Sequence, residues 1–155
     1  MTGIRFFFRS SVFLSLCALL MLLACRPAAQ TALPTASSAS TLTVEVTGLH
    51  NDAGKVHLTL FRDEKPVDTR SVEIDAKTRT AKTVFEHLPK GTYAVYMMHD
   101  ENGSGKMEFS DMGVPLTGYG MSNNPAKRPG RPGFDETNFK LDQPALAIEI
   151  KTIYW

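Results

Sequence analysis

The sequence predicts an all-β fold, an antiparallel β-sandwich that covers residues 41–155. From Thr41 onward, apolar and polar side chains alternate in short runs, as they do in strands with one buried face. Glycine, asparagine, aspartate or proline bounds each run, as expected for turns between strands. No segment of this region has a sustained helical period, so strands are expected to build the core.

Six predicted strands follow one another along the chain. The first is carried by Leu42, Val44 and Val46, and a turn signal at 51–54 separates it from the second. The fifth, Tyr93–Met98, is nearly continuously apolar, as is typical of a central strand. The predicted runs are 41–47, 56–60, 71–75, 80–85, 93–98 and 146–151.

Residues 99–143 have a different composition. They are polar and rich in glycine, asparagine and proline, with isolated methionine, tyrosine and phenylalanine residues. Segments of this length without regular structure are uncommon in compact domains and are usually functional or disordered. Because the scattered apolar residues favour packing, we expect an ordered loop region over one end or edge of the sandwich, with one short helical turn within 135–140.

The charge and cysteine content exclude several classes of protein. The chain has 17 Lys and Arg residues against 16 Asp and Glu residues, so its near-neutral charge does not favour nucleic acid as a partner. Both cysteines lie within the first 25 residues, so the remainder cannot form a disulfide framework or a thiolate metal site. A cationic cluster of Lys127, Arg128 and Arg131 could meet phosphate groups of lipids or acidic glycans, or could be a solvated loop.

The first 25 residues have the pattern of an export signal. Arg5 and Arg9 precede an uncharged stretch at 12–24, which suits a signal peptide and is shorter than a membrane-spanning helix requires. The end of the stretch, Leu-Leu-Ala-Cys, resembles the lipobox of bacterial lipoproteins, which would make Cys25 the lipidated N-terminus. The alternatives are an ordinary secretory signal cleaved further on, near 28–32, and a membrane anchor or buried N-terminal helix.

Residues 26–40 are dominated by proline, alanine, serine and threonine, so they predict a flexible tether. With a lipid anchor on Cys25, we expect a cell-envelope lipoprotein attached to a membrane. Arg26 is not the aspartate that often signals inner-membrane retention, so the resemblance implies the outer membrane, facing the periplasm or the surface. A soluble periplasmic or secreted protein is the alternative.

A glycine-rich segment after the apolar strand has the ligand spacing of an EF-hand-type calcium loop. Counted from Asp100, oxygen side chains stand at the first, third, fifth, ninth and twelfth positions, and the seventh offers a backbone carbonyl. Gly105 holds the sixth position, where such a loop turns sharply. One hypothesis is a weak Ca²⁺ site, and the other is a polar turn bonded to its own backbone. The six candidate ligands are Asp100, Asn102, Ser104, Lys106, Glu108 and Asp111.

Familiar catalytic motifs such as G-x-S-x-G and H-E-x-x-H are absent from the sequence, so we expect a non-enzymatic binding or structural module. Its partner would be an unidentified protein or glycan. The candidate partner surface consists of Tyr119, Met121 and Phe134, which could instead pack under the loop.

Two other functions stay open. A small periplasmic hydrolase or carbohydrate-processing enzyme would use His99 and Asp100 as acid–base groups in a pocket. A periplasmic copper-binding protein would use thioether and imidazole groups, which favour Cu(I). The candidate copper ligands are Met98, His99, Met107, Met112 and Met121.

Several short motifs share one order and spacing from about Leu42 to the C-terminus. Residues 85–95 have the pattern F-x-x-L-P-x-G-x-Y-A-V, and residues 99–106 have the pattern H-D-E-N-G-x-G-K. G-V-P, G-Y-G-x-S-N-N and G-x-P-x-F follow between 113 and 134. Together they resemble an uncharacterised family of exported bacterial proteins, the domain of unknown function family 2141. The resemblance implies a secreted, transthyretin-like or immunoglobulin-like sandwich, and it implies no activity.

Overall fold

The structure is a computed structural model that describes residues 39–155, which belong to one compact unit. The predicted signal sequence at 1–25, its Cys25 and almost all of the predicted tether at 26–40 lie outside the described residues. Within the described part of the chain, no helix has the length and apolar character needed to cross a membrane.

The described residues form eight strands and one short helical turn. In chain order they are β1 (Ser40–Thr47), β2 (Lys55–Arg62), β3 (Lys65–Val72), β4 (Ala81–Leu88), β5 (Gly91–Asp100), β6 (Gly118–Met121), α1 (Phe134–Thr137), β7 (Phe139–Leu141) and β8 (Ala145–Lys151).

The strands form two sheets that pack as a sandwich. One sheet has the order β4-β1-β8, and the other has the order β3-β2-β5-β6, with β7 also paired to β5. The all-β sandwich predicted from the sequence is confirmed. All pairs are antiparallel except β1 with β8, which run parallel. Side-chain alternation predicts that a strand has one buried face, but it carries no information about strand direction.

The core lies between the sheets and is built by the alternating residues. Leu42, Val44 and Val46 of β1 are fully buried, and they meet Leu58 of β2 and Val95 of β5 in one apolar cluster. Their neighbours in sequence face away from the core. Burial of these rows of apolar side chains stabilises the fold.

The third strand lies earlier in the chain than predicted. The sequence favours 71–75, whereas β3 spans Lys65–Val72 and is the edge of its sheet. Five of its eight residues are exposed, so it lacks the strict alternation that marks a half-buried strand. Asp63 and Glu64, both with positive φ, form the tight turn that joins it to β2.

The long region 99–143 contains two strands that the sequence did not predict. They are four residues (β6) and three residues (β7) long, too short to show an alternating pattern. Both pair with β5 on the side opposite β2 and so extend the five-stranded sheet at that edge, and the loops at 105–115 and 128–132 lie over its outer face. Its helical turn, α1, ends within the stretch predicted to hold one.

Candidate functional site

A cavity of about 700 Å³ lies between the outer face of the five-stranded sheet and the long loops. Its floor comes from β2, β5 and β6, where alternate side chains point away from the core. The register pairs Met98 with Tyr119 and Tyr96 with Met121, which places four large side chains side by side. Phe61 of β2 adds its ring, 5.0 Å from that of Tyr96 and nearly perpendicular to it.

Two loop segments and the C-terminal residue wall the cavity. Residues 105–115 form one side, and residues 128–132 form the other. Trp155 donates a hydrogen bond from its ring nitrogen to the Tyr119 hydroxyl at 2.9 Å, which ties the C-terminus to the floor. The lining is dominated by methionine, aromatic and proline side chains, and no aspartate or glutamate of the described chain lines it.

The rim of the cavity exposes large apolar side chains to solvent. Phe109 is 56% exposed, Met112 is 89% exposed and Trp155 is 49% exposed. All three line the cavity, and Leu116, 64% exposed, follows the lining residue Pro115 along the chain. Clustered exposure of this kind marks surfaces that bind something, because isolated soluble domains rarely leave large apolar patches uncovered.

The turn after β5 is organised by one carboxylate. Asp100 is 4% exposed, and its two oxygens accept hydrogen bonds from the backbone N–H groups of Ser104 and Gly105 at 2.9 and 2.8 Å. Asn102 accepts a second bond from the Ser104 N–H at 3.1 Å. The turn therefore has the self-bonded geometry that the sequence offered as the alternative to an ion site, and it forms beside the cavity wall at Gly105.

Asp100 also contacts the floor of the cavity through His57. Its Oδ2 lies 3.1 Å from His57 Nε2, while His57 Nδ1 lies 2.7 Å from the Ser71 hydroxyl. Burial by itself raises the pKa of Asp100, but the bonds from Gly105, His57 and Ser104 lower it, so the net shift is below the ordinary value. Ser71 does not line the cavity, so this row of groups orients the His57 ring and does not present the hydroxyl to a ligand there.

The predicted calcium ligands are partly brought together. Ser104 Oγ lies 3.4 Å from Asp100 Oδ1 and 3.3 Å from the Lys106 carbonyl oxygen, and Asn102 donates to Glu108 at 3.0 Å. Asp111 makes no hydrogen bond to the others within residues 39–155. No group of three or more His, Cys, Asp or Glu side chains in that range is arranged to hold a metal ion. Calcium at this turn stays a prediction.

His99 and Asp100 do not share a pocket. Successive residues of β5 point to opposite faces of the sheet, so Asp100 faces the loops and His99 faces inward. His99 is fully buried and lies 2.6 Å from the Tyr154 hydroxyl and 2.8 Å from the Ala53 carbonyl oxygen. It ties the β1–β2 loop to the C-terminal segment, and this position does not favour an acid–base role with Asp100.

Two of the three predicted partner-surface residues line the cavity, namely Tyr119 and Met121. Met121 is 6% exposed, so it forms floor and not outer surface. Phe134 lies on α1, half-buried and outside the lining. The methionines proposed for copper share the cavity, whereas His99 lies on the other face. These four methionines are Met98, Met107, Met112 and Met121.

Sequence reasoning missed several residues of the site. Tyr96 and Phe61 are strand residues whose outward direction depends on register, and Trp155 is the last residue of the chain. His57 carried one usable signal, because a polar residue between Val56 and Leu58 in a period-2 run must face away from the core. Nothing in the sequence shows that loops cover that face.

The region that matches a known protein family includes the whole of this site except Trp155. The family described as "Uncharacterized protein conserved in bacteria", domain of unknown function 2141, matches residues 44–149. The chain belongs to this family. The matched range runs from β1 to β8 and includes the Asp100 turn and both loop walls, so the resemblance seen in the short motifs is confirmed. Neither the curated proteins nor the solved structures contain a match to the chain.

Proposed function

We propose that this protein is a non-enzymatic binding module of the bacterial cell envelope that takes up a small apolar molecule. The cavity of about 700 Å³ under the loops carries the proposal. Its size lies within the range of roughly 300–1,000 Å³ that is typical of small-molecule sites, and such sites are mostly apolar with a few placed polar groups. The lining of this cavity has that character.

The chemistry of the lining supports an adaptable apolar site. Four methionines of the outer face and the loops contribute to it, and methionine side chains are flexible and polarisable, so they can follow the shape of different ligands. Tyr96, Tyr119 and Trp155 add rigid rings with polar ends that can orient a ligand. A ligand here would also cover part of the exposed rim around Phe109 and Met112.

The position in the envelope rests on the sequence. The predicted export signal ending at Cys25 and the tether at 26–40 would hold the domain near a membrane, with release into the periplasm or medium as the alternative. Calcium at Asp100 would act on the same site, since Gly105 and Met107, within and next to that turn, line the cavity. In this proposal the ion orders a wall and takes no part in a reaction.

The test is binding of N-phenyl-1-naphthylamine, a neutral apolar dye, by the purified protein. We expect a saturable rise in fluorescence that decan-1-ol reverses. Met98→Gln places an amide on the floor and should weaken dye binding about tenfold, because burying an unpaired amide costs roughly 1–3 kcal/mol. Thr43→Gln, on the outer face of the other sheet, is the matched control. A cooperatively folded protein that does not bind the dye would contradict the proposal.

Copper binding is a second candidate, favoured by the four methionines that line one cavity. Thioether sulfur selects Cu(I), and Met98 and Met121 lie side by side with Tyr119 and Tyr96 on the cavity floor. Competition with a chromophoric Cu(I) chelator would measure the affinity. Replacing Met98 and Met121 together with leucine keeps the floor apolar and should abolish competition, whereas unchanged competition would exclude these sulfurs as ligands.

A further inference from the structure

We propose that the ligand of the cavity is an amphiphile with an aliphatic body and an acidic head, and that Arg131 binds the head. This inference rests on the proposed function and adds the chemical class of the ligand. It gives a role to the cationic cluster at 127–132, which the apolar cavity alone leaves unexplained.

The charged side chains that line the cavity have one sign. Two guanidinium groups, those of Arg128 and Arg131, line it, and no described carboxylate does. Arg128 is neutralised, since its Nη2 lies 2.6 Å from Glu136 Oε1. Arg131 forms no ion pair with any described residue. His57 is already held by Asp100. Within the lining, the charge that remains for a ligand is therefore that of Arg131.

Arg131 is held in a position suited to an anion. Its guanidinium carbon lies 4.2 Å from the centre of the Tyr96 ring, over the cavity floor. Stacking on a ring uses the face of the guanidinium group, and its N–H donors remain available around its edge. No described residue accepts a hydrogen bond from Arg131, although Arg128 and Lys127 beside it are both bonded. A planar carboxylate or a phosphate fits such a fork with two parallel hydrogen bonds.

A second cation, at the rim of the cavity, also favours an anionic ligand. Lys127 Nζ lies 4.3 Å from the centre of the Trp155 ring and donates to the Tyr154 carbonyl at 2.8 Å. This cation stands at the edge of the apolar lining and raises the local concentration of anions. A cationic amphiphile would instead meet two uncompensated positive charges and no carboxylate from the lining, so like-charge repulsion gives the site selectivity.

The test compares three ligands with the same ten-carbon chain by isothermal titration calorimetry of the purified protein at neutral pH and low salt. They are decanoate, decan-1-ol and decyltrimethylammonium. We expect decanoate to bind about tenfold more tightly than decan-1-ol, because a charge-assisted hydrogen bond at a partly exposed site contributes at the lower end of its usual range. The ammonium compound should bind more weakly than the alcohol.

Arg131→Gln keeps a polar side chain and removes the charge, so it should bring decanoate down to the affinity of decan-1-ol and leave the alcohol unchanged. Lys140→Gln, on β7 and outside the cavity lining, removes one charge elsewhere and should leave the tenfold preference intact. Decyl phosphate in place of decanoate shows whether the site prefers a phosphate or a carboxylate head.

The outcomes separate this inference from the function on which it rests. Equal binding of decanoate and decan-1-ol by the unaltered protein would overturn the inference and leave the apolar site standing. A preference for decanoate that survives Arg131→Gln would overturn the role of Arg131. Failure of all three ligands to bind a folded protein would contradict the proposed function itself.

Discussion

The two faces of the five-stranded sheet differ in how they are covered. On the inner face, Leu58, Val95 and Met97 are at most 4% exposed and meet the other sheet. On the outer face, Tyr96 and Met98 alternate with them along β5 but lie under loops that leave a cavity of about 700 Å³. One strand therefore places one row of side chains in the core and the next row on the floor of the cavity.

The difference follows from what each face meets. Two sheets present regular rows of side chains that interdigitate, so the inner face is filled to the density of a protein core. The loops at 105–115 and 128–132 carry six glycine and proline residues that line the cavity, and they cannot supply such rows. Their small side chains leave space over the sheet, and that space is the site.

The largest expected effect separates a truncation in the core, between the two sheets, from a truncation on the outer face of the five-stranded sheet. Phe85 is fully buried in the core, so Phe85→Ala should lower the free energy of unfolding by about 3–5 kcal/mol. Met98→Ala, beside the cavity, should lower the free energy of unfolding by about 1 kcal/mol or less, because space already surrounds the side chain. Urea unfolding followed by circular dichroism measures both. Equal losses would show that the outer face is packed as tightly as the core.

The next test concerns the polar group of the inner face. His99→Ala removes a fully buried ring, leaves the Ala53 carbonyl without its partner and leaves the Tyr154 hydroxyl with only the His50 N–H, 3.3 Å away. We expect a loss of about 2–4 kcal/mol in the free energy of unfolding, since each unpaired buried group costs roughly 1–3 kcal/mol. Dye binding by the folded fraction should not change. A variant with unaltered stability and lost dye binding would reassign His99 to the site.

The contrast also explains which features the sequence could predict. Alternation marks β1, β2, β4 and β8, and a nearly continuous apolar run marks β5, whereas the exposed edge strand β3 lies earlier than the sequence predicts. The Asp100 turn was found as a polar, glycine-rich segment because its contacts are local. The cavity depends on register and on loops folding back over 20 or more residues, as when Arg131 meets Tyr96, and no local pattern encodes such contacts.

A smaller effect is expected on the outer face, at the Asp100 turn. Asp100→Asn replaces one acceptor oxygen with an NH₂ donor, which would face a backbone N–H or His57. The free energy of unfolding should therefore fall by about 1.5–3 kcal/mol at neutral pH. The pKa of Asp100 in the folded protein lies below its ordinary value. The contribution of the ionised carboxylate is therefore present above about pH 4 and is lost as pH falls through the folded pKa.

The free energy of unfolding, measured in urea at several pH values, should show the gap between the two proteins narrowing as the pH falls from neutral into this acid range. The Asp111→Asn variant controls for removal of an exposed carboxylate from the same region and should follow the unaltered protein. A gap that does not depend on pH would mean that the Asp100 charge contributes nothing to the turn.

The smallest expected effect is the change in Tm on addition of calcium, which decides whether the Asp100 turn is also an ion site. At about 10 mM CaCl₂, a site with a Kd near 10⁻³ M stabilises the folded state by about 1.4 kcal/mol, a rise of several degrees in Tm. Melting in chelator and then in CaCl₂, with MgCl₂ at equal ionic strength as control, measures this rise in Tm.

Because Asp111 is not bonded to the turn, Asp111→Asn removes a predicted ligand without breaking a turn contact. Loss of the calcium shift in that variant would make Asp111 a ligand that moves in with the ion. A Tm that calcium does not change would leave the outer face with one ligand site, the cavity, and with a turn that Asp100 holds by hydrogen bonds alone.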